Sequence, residues 1–341
     1  MSSPKHILVI RFSAMGDVAM TVPVLKNALD QNPQLQITVV SNAFFAPLFL
    51  GLERCNFHPA FLKEKHKGAA GIYTLFKELK HAYSFDAVAD LHSVLRSALL
   101  RSFFKLSGTT TAVIDKGRRE KKALTQKENK ILQQLTTTHE RYAQVLRKTG
   151  VDIQLSNTAP IYKKQIAPPP LLQIMQEGKK IIGVAPFAQH KEKMYPAEKM
   201  KTVVKKLANE NNSILLFGGG NGEANTLQQW ADEMPSVYNM AGKFSFEEEL
   251  AIISHLNVMI SMDSANMHLA SLYNIPVISI WGATHPFAGF YGWGQDEKNI
   301  VSVDLSCRPC SVFGNKPCWR GDHACMQMIT EKMIIEKVLQ C

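Results

Sequence analysis

Short apolar runs alternate with amphipathic, helix-like patterns along the whole chain, and this alternation constrains the fold more than any other feature. Strands separated by helices pair in parallel, and the helices then cover both faces of the sheet. We predict strands near 6–11, 36–41, 57–61, 85–90 and 111–114, and again near 180–185, 213–217, 257–261 and 276–280. The sequence therefore predicts an α/β fold with two doubly wound parallel sheets.

A proline-rich stretch lies between the two sets of strands. Pro160 and the run 168–170 can neither extend a helix nor donate a hydrogen bond in a central strand. At 341 residues, the chain is long enough for about two domains. We therefore predict an N-terminal Rossmann-like domain over 1–160, a linker over 161–177, a C-terminal Rossmann-like domain over 178–325 and a helix over 326–341.

The chain is basic, with 39 lysines and arginines against 29 acidic residues, and two basic runs lie at 63–67 and 116–122. Such runs are either a solvated face or a surface that attracts an anionic partner. We expect no nucleic acid partner, because the runs lack interleaved aromatic side chains and the chain has no helix-turn-helix, finger or ribonucleoprotein signature. A phosphorylated glycolipid at a membrane surface is the other anionic partner that these runs suit.

No apolar run approaches the roughly 18 residues that a membrane span needs. The apolar stretch near the N-terminus, at 7–10, is too short for the apolar part of a signal peptide. We therefore expect a cytoplasmic protein whose contact with the membrane, if any, is peripheral.

Two strand ends carry an acidic residue at the start of a helix. Asp17 follows the first apolar strand through a turn that contains Gly16. Asp263 and Ser264 follow the apolar run that ends at Ile260, just before the next helical pattern. The free amides at such a helix start bind anions, although an acidic residue there is also a common N-cap that does no more than satisfy those amides.

These segments resemble the ADP-heptose lipopolysaccharide heptosyltransferases of glycosyltransferase family 9, and the similarity runs from residue 7 to about residue 286. The family motifs and their matches are S-x-M-G-D at 13–17, K-x-W-P at 193–196, a glutamate after a Gly-rich turn at Glu223, and D-[ST]-G-x-x-H-L-A at 263–270. Three positions depart from the family pattern. Tyr195 replaces Trp, Ala265 replaces Gly, and His92 stands where the family often carries Gln, so we transfer no role to His92.

The resemblance implies the GT-B architecture, in which two doubly wound domains face a central cleft. It also implies an inverting transfer of a heptose from an ADP-sugar donor to a lipid-linked acceptor, the inner core of lipopolysaccharide. Asp17 would act as the base, and Lys193 would stabilise the departing diphosphate together with a helix N-terminus. Because a lysine and helix amides can replace a metal in that role, we expect no required cofactor.

The remaining site residues follow from the same resemblance. The donor would be bound by Gly219, Glu223, Asp263, Ser264, Ala265 and His268, with Glu223 accepting from the ribose hydroxyls. The acceptor would be bound by Ser13, Lys65, Arg118 and Arg119. His268 is also well explained as a packed or capping residue one turn into its helix.

Three other functions stay open at this stage. A related transferase could use a different nucleotide sugar, because a few pocket side chains set that choice. A nucleotide-sugar epimerase could share the architecture, although it would need bases at both faces of the sugar. A binding module could keep the nucleotide site without activity, although Asp17 and Lys193 would then have no function.

Four of the six cysteines fall within nineteen residues, at Cys307, Cys310, Cys318 and Cys325. Only the first two have the tight C-x-x-C spacing of many zinc sites. In a cytoplasmic chain such a group favours a metal over disulfides. A structural zinc, unmetallated thiols and disulfides all remain open, and Cys55 and Cys341 lie too far along the chain to join the group.

Overall fold

The computed structural model describes residues 4–157, 159–175, 178–209 and 211–341. They divide into two compact units, one formed by the residues up to Lys116 together with Thr136–Ile161, and the other by Gly117–Leu135 together with Tyr162–Cys341. Each unit is built on one all-parallel sheet with helices around it. The predicted doubly wound α/β class is therefore confirmed.

The described residues form eleven strands and thirteen α-helices. The strands are β1 His6–Ile10, β2 Gln36–Asn42, β3 Cys55–Ala60, β4 Ala87–Asp90, β5 Thr110–Val113, β6 Lys180–Ala185, β7 Asn212–Leu216, β8 Val237–Asn239, β9 Val258–Met262, β10 Val277–Ile280 and β11 Ile300–Val301. The helices are α1 Met15–Ala19, α2 Thr21–Gln31, α3 Gly68–Ala82, α4 Leu95–Leu106, α5 Arg118–Thr125, α6 Thr138–Lys148, α7 Pro169–Met175, α8 Ala197–Leu207, α9 Asn221–Glu233, α10 Phe246–Ile253, α11 Ala265–Leu272, α12 Ala324–Gln327 and α13 Glu331–Leu339.

The strand order of the first sheet is β3-β2-β1-β4-β5. The chain builds outward from β1 in one direction and then returns to add β4 on the other side, so the order reverses between β1 and β4. In the parallel register Ile10 pairs with both Val40 and Asp90, so β1 and β4 end side by side. The loops that follow the two strands therefore diverge at one edge, which is where doubly wound sheets bind ligands.

The second sheet has the order β11-β10-β9-β6-β7-β8, and its reversal lies between β6 and β9. Ala185 at the end of β6 pairs with Ser261 in β9. Helices α8, α9 and α13 pack one face of this sheet through side chains that include Val204, Leu227 and Ile334. The predicted C-terminal helix thus exists as α12 and α13, and it belongs to the core of the second unit.

Nine of the eleven strands found in the described residues coincide with predicted ones. The two that the sequence analysis missed, β8 and β11, are the outer strands of the second sheet, with three and two residues. Edge strands are often this short, and they carry too few apolar residues to give a periodic signal. A separate finding is that no helix in the described ranges is long and apolar enough to cross a membrane.

The units differ from the predicted domain ranges in one respect. Residues 117–135 group with the second unit, although the prediction placed all of 1–160 in the first domain. Leu124 and Leu135 bury against Ala288, and the Leu135 amide donates to the Phe287 carbonyl oxygen. These contacts join residues that are far apart in sequence, so no local pattern predicts them. Positions 1–3, 158, 176, 177 and 210 of the predicted ranges lie outside the described residues.

The predicted linker begins close to where the chain enters the second unit. The Tyr162 amide donates to the Leu272 carbonyl oxygen, and the Gln165 amide donates to the Ser254 hydroxyl. The His255 ring is also 2.7 Å from the Gln165 carbonyl oxygen. Residues 162–165 are therefore fixed on the second unit by hydrogen bonds, in line with the start of that unit at Tyr162.

Arg308 holds together the loop beyond β10. Its guanidinium is buried and donates to the carbonyl oxygens of Trp281 at 3.0 Å, Gly282 at 2.6 Å and Thr284 at 3.2 Å, and also to that of Val303. Because these carbonyls belong to loops outside the sheet ladder, the arginine supplies the partners that strand pairing does not.

We expect the substitution Arg308→Met to lower the free energy of unfolding by about 3 kcal/mol or more, because it leaves several buried carbonyls without donors. Urea denaturation followed by circular dichroism measures this loss. Arg320→Met is the matched control, since Arg320 lies in the same loop but is exposed and forms an ion pair with Asp322 at the surface. Equal stability of the two variants would show that the Arg308 bonds do not stabilise the loop.

Candidate functional site

An ion pair lies at the reversal of the first sheet. Asp17 sits in the first turn of α1, and its Oδ2 is 2.6 Å from Nη2 of Arg11, the residue directly after β1. The arginine side chain is 9% exposed, whereas that of Asp17 is 33% exposed. The Asp17 carboxylate is thus partly accessible to solvent, and it also contacts the guanidinium of a buried arginine.

Arg11 is itself fixed by its surroundings. Its Nη1 donates to the Leu91 carbonyl oxygen at 2.8 Å, in the loop after β4. Its guanidinium carbon lies 5.8 Å from the centre of the buried Tyr142 ring, and the Tyr142 hydroxyl donates to the carbonyl oxygen of Asp17. The sequence analysis did not single out Arg11. Its signal was present, since a charged residue directly after an apolar strand stands at the carboxyl edge of the sheet.

His92 lies in the neighbouring loop. Oδ1 of the buried Asp90 accepts from the amides of His92 and Ser93, which fixes the turn after β4. The Phe12 amide donates to Nδ1 of His92 at 3.3 Å, so this ring nitrogen is an acceptor and the proton is on Nε2. Burial, with the charges of Arg11 and Lys116, lowers the pKa of His92 to about 4. His92 is therefore neutral near pH 7 and is placed to donate a hydrogen bond.

The predicted acceptor residues are divided between the two units. Ser13 is exposed in the same turn as Asp17. Lys65 follows β3 at the outer edge of the sheet, where its Nζ is 3.1 Å from Glu78 Oε1 and lies over the Phe61 ring. Arg118 and Arg119 are exposed on α5, in the second unit. Their role in binding an acceptor stays a prediction.

A second ion pair lies at the reversal of the other sheet. Lys193 ends a 3₁₀ turn beyond β6, Asp263 follows β9, and the Lys193 Nζ is 3.2 Å from Asp263 Oδ2. The two side chains are 14% and 7% exposed. The lysine stem also packs closely on Gly314, because a Cβ at that glycine would fall 2.3 Å from Lys193 Cγ. The ammonium is therefore positioned beyond the carboxyl ends of the central strands.

Helix α11 begins beside this pair. Ser264 is its N-cap residue, and the Ser264 hydroxyl is 3.2 Å from that of Ser261 and makes no capping hydrogen bond to the helix. The first-turn amides are thus not capped by that side chain, and the Cβ of Ala265 does not remove any of them. His268 is buried in the same helix, in agreement with its interpretation as a packed residue.

Glu223 and Gly219 form the turn after β7. The Gly219 amide donates to Glu223 Oε2 at 2.7 Å, and Glu223 lies in the first turn of α9. Gly220 has a φ of +79°, a conformation that glycine adopts without strain. Because β7 lies next to β6, this half-buried carboxylate stands at the same edge of the second sheet as Lys193.

Tyr195, the aromatic residue of the K-x-Y-P segment, has a structural role. It is 2% exposed, and its hydroxyl donates to the Ile329 carbonyl oxygen at 3.1 Å. Together with Phe187, Met194 and Met326 it lines a mostly apolar cavity of about 300 Å³. Through this hydrogen bond Tyr195 fixes the segment that carries Lys193 to the chain just before α13.

All six cysteines are free thiols. Burial raises the pKa of Cys310, and the charges of Cys318 and Cys307 raise it further. The pKa of Cys325 is raised to about 11, mainly by burial. The four thiols are therefore close enough to affect one another. Within the described residues, however, no three His, Cys, Asp or Glu side chains are arranged to hold a metal ion.

Comparison with known proteins supplies the family. The model of glycosyltransferase family 9 (heptosyltransferase) matches residues 72–317. Lipooligosaccharide heptosyltransferase 2 of Campylobacter jejuni serotype O:6 is 29% identical over 170 residues, which are 48% of this chain and 52% of that protein. The chain thus spans about half the length of this relative. Lipopolysaccharide heptosyltransferase 3 of Escherichia coli is 25% identical over 302 residues, covering 84% of this chain and 85% of that protein.

A solved structure agrees with the fold. E. coli heptosyltransferase WaaC, determined with ADP-2-deoxy-2-fluoro heptose, superposes with a TM-score of 0.67 at 18% identity and covers 98% of this chain and 99% of its own. At that identity the likeness establishes the architecture, which is the predicted GT-B class. Since the family model also matches well over half of the sequence, the chain belongs to glycosyltransferase family 9.

Proposed function

We propose that this protein is an inverting glycosyltransferase that moves a heptose from an ADP-sugar to a lipid-linked acceptor of the lipopolysaccharide inner core. The observation that carries the proposal is the Lys193–Asp263 pair beside the start of α11, at the reversal of the second sheet. Support for the donor comes from WaaC, which shares the fold and whose structure holds an ADP-heptose analogue. Support for the acceptor comes from the relatives named for lipopolysaccharide and lipooligosaccharide.

In this proposal the second unit binds the donor. The diphosphate accepts hydrogen bonds from the first-turn amides of α11 and from Ser264, and Lys193 neutralises the charge that grows as the bond to the sugar breaks. Asp263 holds the lysine in place before the donor arrives. Glu223 accepts from the ribose hydroxyls, and Gly219 lets the backbone come close to them.

Asp17 is the base in this proposal. The acceptor oxygen forms a bond to the anomeric carbon, the bond from that carbon to the diphosphate oxygen breaks on the opposite face, and the acceptor proton passes to Asp17. ADP then leaves with the electron pair, and the anomeric configuration inverts. Arg11 is a positioning residue, because its ion pair directs the free carboxylate oxygen outward. His92 Nε2 adds a neutral donor at the same edge.

The epimerase alternative needs a second base, and the described residues at the reversal of the first sheet do not supply one beside Asp17. The other carboxylate at the reversal of the first sheet is Asp90, which is fully buried and already accepts from two amides, with Arg101 at 3.6 Å. A base there could not reach a sugar. Nucleotide binding distinguishes an ADP-sugar from another nucleotide sugar as the donor. Turnover distinguishes an active enzyme from an inactive module.

The proposed acceptor places the enzyme at the cytoplasmic face of the membrane, as a peripheral protein. Ser13 would contact the acceptor directly, since it shares the exposed turn of Asp17. Lys65, Arg118 and Arg119 would attract its phosphates from the surrounding surface. No metal or other cofactor takes part in the proposed transfer.

Binding of ADP, UDP, GDP and ADP-heptose, measured by calorimetry, tests the donor. We expect the adenine ligands to bind tightest, and both Glu223→Ala and Lys193→Ala to weaken them about tenfold or more, because each removes a charged contact. Lys201→Ala, which removes an ion pair to Glu233 elsewhere on the unit, is the control and should bind like wild type. A preference for UDP or GDP would overturn the ADP-sugar assignment. No nucleotide binding would overturn the proposed donor site, and nucleotide binding without turnover would favour the inactive module.

Turnover of ADP-heptose tests the base. We expect Asp17→Asn to lower kcat by about two orders of magnitude or more while donor affinity stays unchanged, because the amide cannot take the proton. Asp30→Asn, which alters an exposed carboxylate paired with Lys26, should leave kcat unchanged. If Asp17→Asn instead lost donor affinity and kept kcat, Asp17 would be a structural residue.

The zinc at Cys307, Cys310, Cys318 and Cys325 stays a prediction, supported by the mutual proximity of the four thiols. They would have to turn toward a common point to bind it. We expect metal analysis of the purified protein to find zinc, a chelator to lower its melting temperature, and Cys310→Ser to abolish the zinc while Cys55→Ser keeps it. If the protein contains no metal and a chelator changes neither stability nor activity, the zinc assignment is wrong.

A further inference from the structure

Two segments of the second unit expose large apolar side chains. One is 117–135, where Ile131 and Leu132 are 51% and 55% exposed. The other is 306–320, where Phe313 and Trp319 are 54% and 50% exposed. Among the thirteen large apolar side chains that are well exposed in the described residues, four therefore lie in these two short segments. We call the two segments together the basic–aromatic surface.

Contacts between the segments make this a single surface. The Lys127 Nζ lies 4.7 Å from the centre of the Trp319 ring, and the Lys130 Nζ donates to the Cys307 carbonyl oxygen at 2.7 Å. The Phe313 ring is 5.5 Å from that of Phe290. The Phe290 ring in turn lies 4.4 Å from the Nζ of Lys121 on α5.

Folding of the unit does not require the exposed side chains. The segment 117–135 is anchored by Leu124 and Leu135, which are buried, so Ile131 and Leu132 are not needed for that packing. The Trp319 ring lies under the Lys127 ammonium, and half of the side chain is exposed. Exposed tryptophan and branched apolar side chains in linked segments are a usual mark of an interaction site.

The surface is also strongly basic. Segment 117–135 holds six lysines and arginines against two glutamates, and segment 306–320 holds Arg308, Lys316 and Arg320 with no acidic residue. Of these, Arg308 is buried and Arg320 pairs with Asp322. The exposed positive charge comes mainly from Arg118, Arg119, Lys122, Lys127 and Lys316. Its partner must therefore be both apolar and anionic.

We propose that the basic–aromatic surface binds the anionic surface of a lipid bilayer. An interfacial tryptophan sits at the headgroup level with its ring toward the acyl chains, flanked by lysines and arginines that pair with anionic headgroups. Trp319 under Lys127 reproduces that arrangement, and the exposed Leu132 adds apolar surface to the basic segment 117–135. Nucleic acid fits less well, because only one aromatic ring here is both exposed and paired with a lysine.

This inference rests on the proposed function in one respect, since a lipid-linked acceptor gives the enzyme a reason to bind a membrane. The contact itself is independent of transfer, because Lys127, Leu132 and Trp319 have no part in the proposed chemistry. Vesicles without donor or acceptor can therefore test it alone.

The experiment uses the full chain and sedimentation with vesicles of phosphatidylcholine, with or without phosphatidylglycerol. We expect binding only when phosphatidylglycerol is present, weakening as salt is raised, together with a blue shift of tryptophan fluorescence. Lys127→Glu and the double variant Leu132→Ser, Trp319→Ser should each bind about tenfold or more weakly. The double variant should also lose most of the blue shift, because Trp230 and Trp281 are buried and Trp293, the fourth tryptophan, is only partly exposed and lies outside both segments.

Matched controls separate this surface from general charge and hydrophobicity. Leu50→Ser removes an apolar side chain that is 68% exposed in the first unit, and Lys332→Glu reverses an exposed charge on α13. Both should bind like wild type. Equal binding by controls and surface variants, or no binding by wild type, would overturn the proposal.

Transfer to a soluble acceptor fragment, measured without vesicles, separates this inference from the proposed function. The surface variants should keep wild-type turnover there, since they leave both ion-pair sites intact. Loss of that turnover in the variants would show that the surface serves catalysis and would overturn the membrane assignment. Absence of turnover in wild type would overturn the proposed function, while the vesicle result would still decide the membrane contact.

Discussion

The reversal of strand order in a parallel sheet is the constraint on which both candidate sites depend. At the reversal the chain adds its next strand on the opposite side of the strand that came first in the sheet. The loops after these two neighbouring strands then run in opposite directions and leave a crevice between them. In each sheet an ion pair lies at that position. Arg11 pairs with Asp17 within the connection from β1 to α1, and Lys193 pairs with Asp263 between the connections that follow β6 and β9. A charge needs a partner where it is partly desolvated, so the pairs stabilise the very edge that must stay open to a ligand.

The two pairs differ in which partner is exposed, and this difference suits opposite tasks. In the first sheet the cation is the buried member and the carboxylate reaches solvent, so a ligand meets an acceptor of protons. In the second sheet the carboxylate is the more buried member, and the lysine has a flexible stem that can move its ammonium toward a phosphate. An arginine would suit this second task less well, because its guanidinium is planar and rigid and binds its partners in a fixed geometry. In the proposed function, the same motif of strand, turn and helix therefore provides the proton acceptor in one unit and the anion site in the other.

Much of this could be predicted from the sequence, and the failures have definite causes. Apolar runs identified the nine inner or longer strands, and strand ends followed by Asp17 or Asp263 identified both edges. Arg11 was missed because its importance depends on Leu91 and Tyr142, which only the folded chain brings to it. The attachment of 117–135 to the second unit depends on Phe287 and Ala288 and has no local signal either. The periodicity of a sequence shows which face of a helix or strand is buried. The positions of Arg11 and of segment 117–135 depend instead on contacts with residues that are distant in the sequence.

The loop beyond β10 has an inner part and an outer part that are stabilised differently. Its inner part is fixed by Arg308, whose guanidinium binds four backbone carbonyls, and by Lys130, which binds the Cys307 carbonyl. These bonds need no metal and no disulfide. The outer part carries Cys318 and Trp319, and the Trp319 ring lies under the Lys127 ammonium. A metal at the four thiols would therefore act mainly on the outer part, by tying Cys318 to the fixed Cys307–Cys310 turn. The zinc and membrane inferences are thereby coupled, because an ordered Cys318 would hold Trp319 in the exposed position that contact with a bilayer requires.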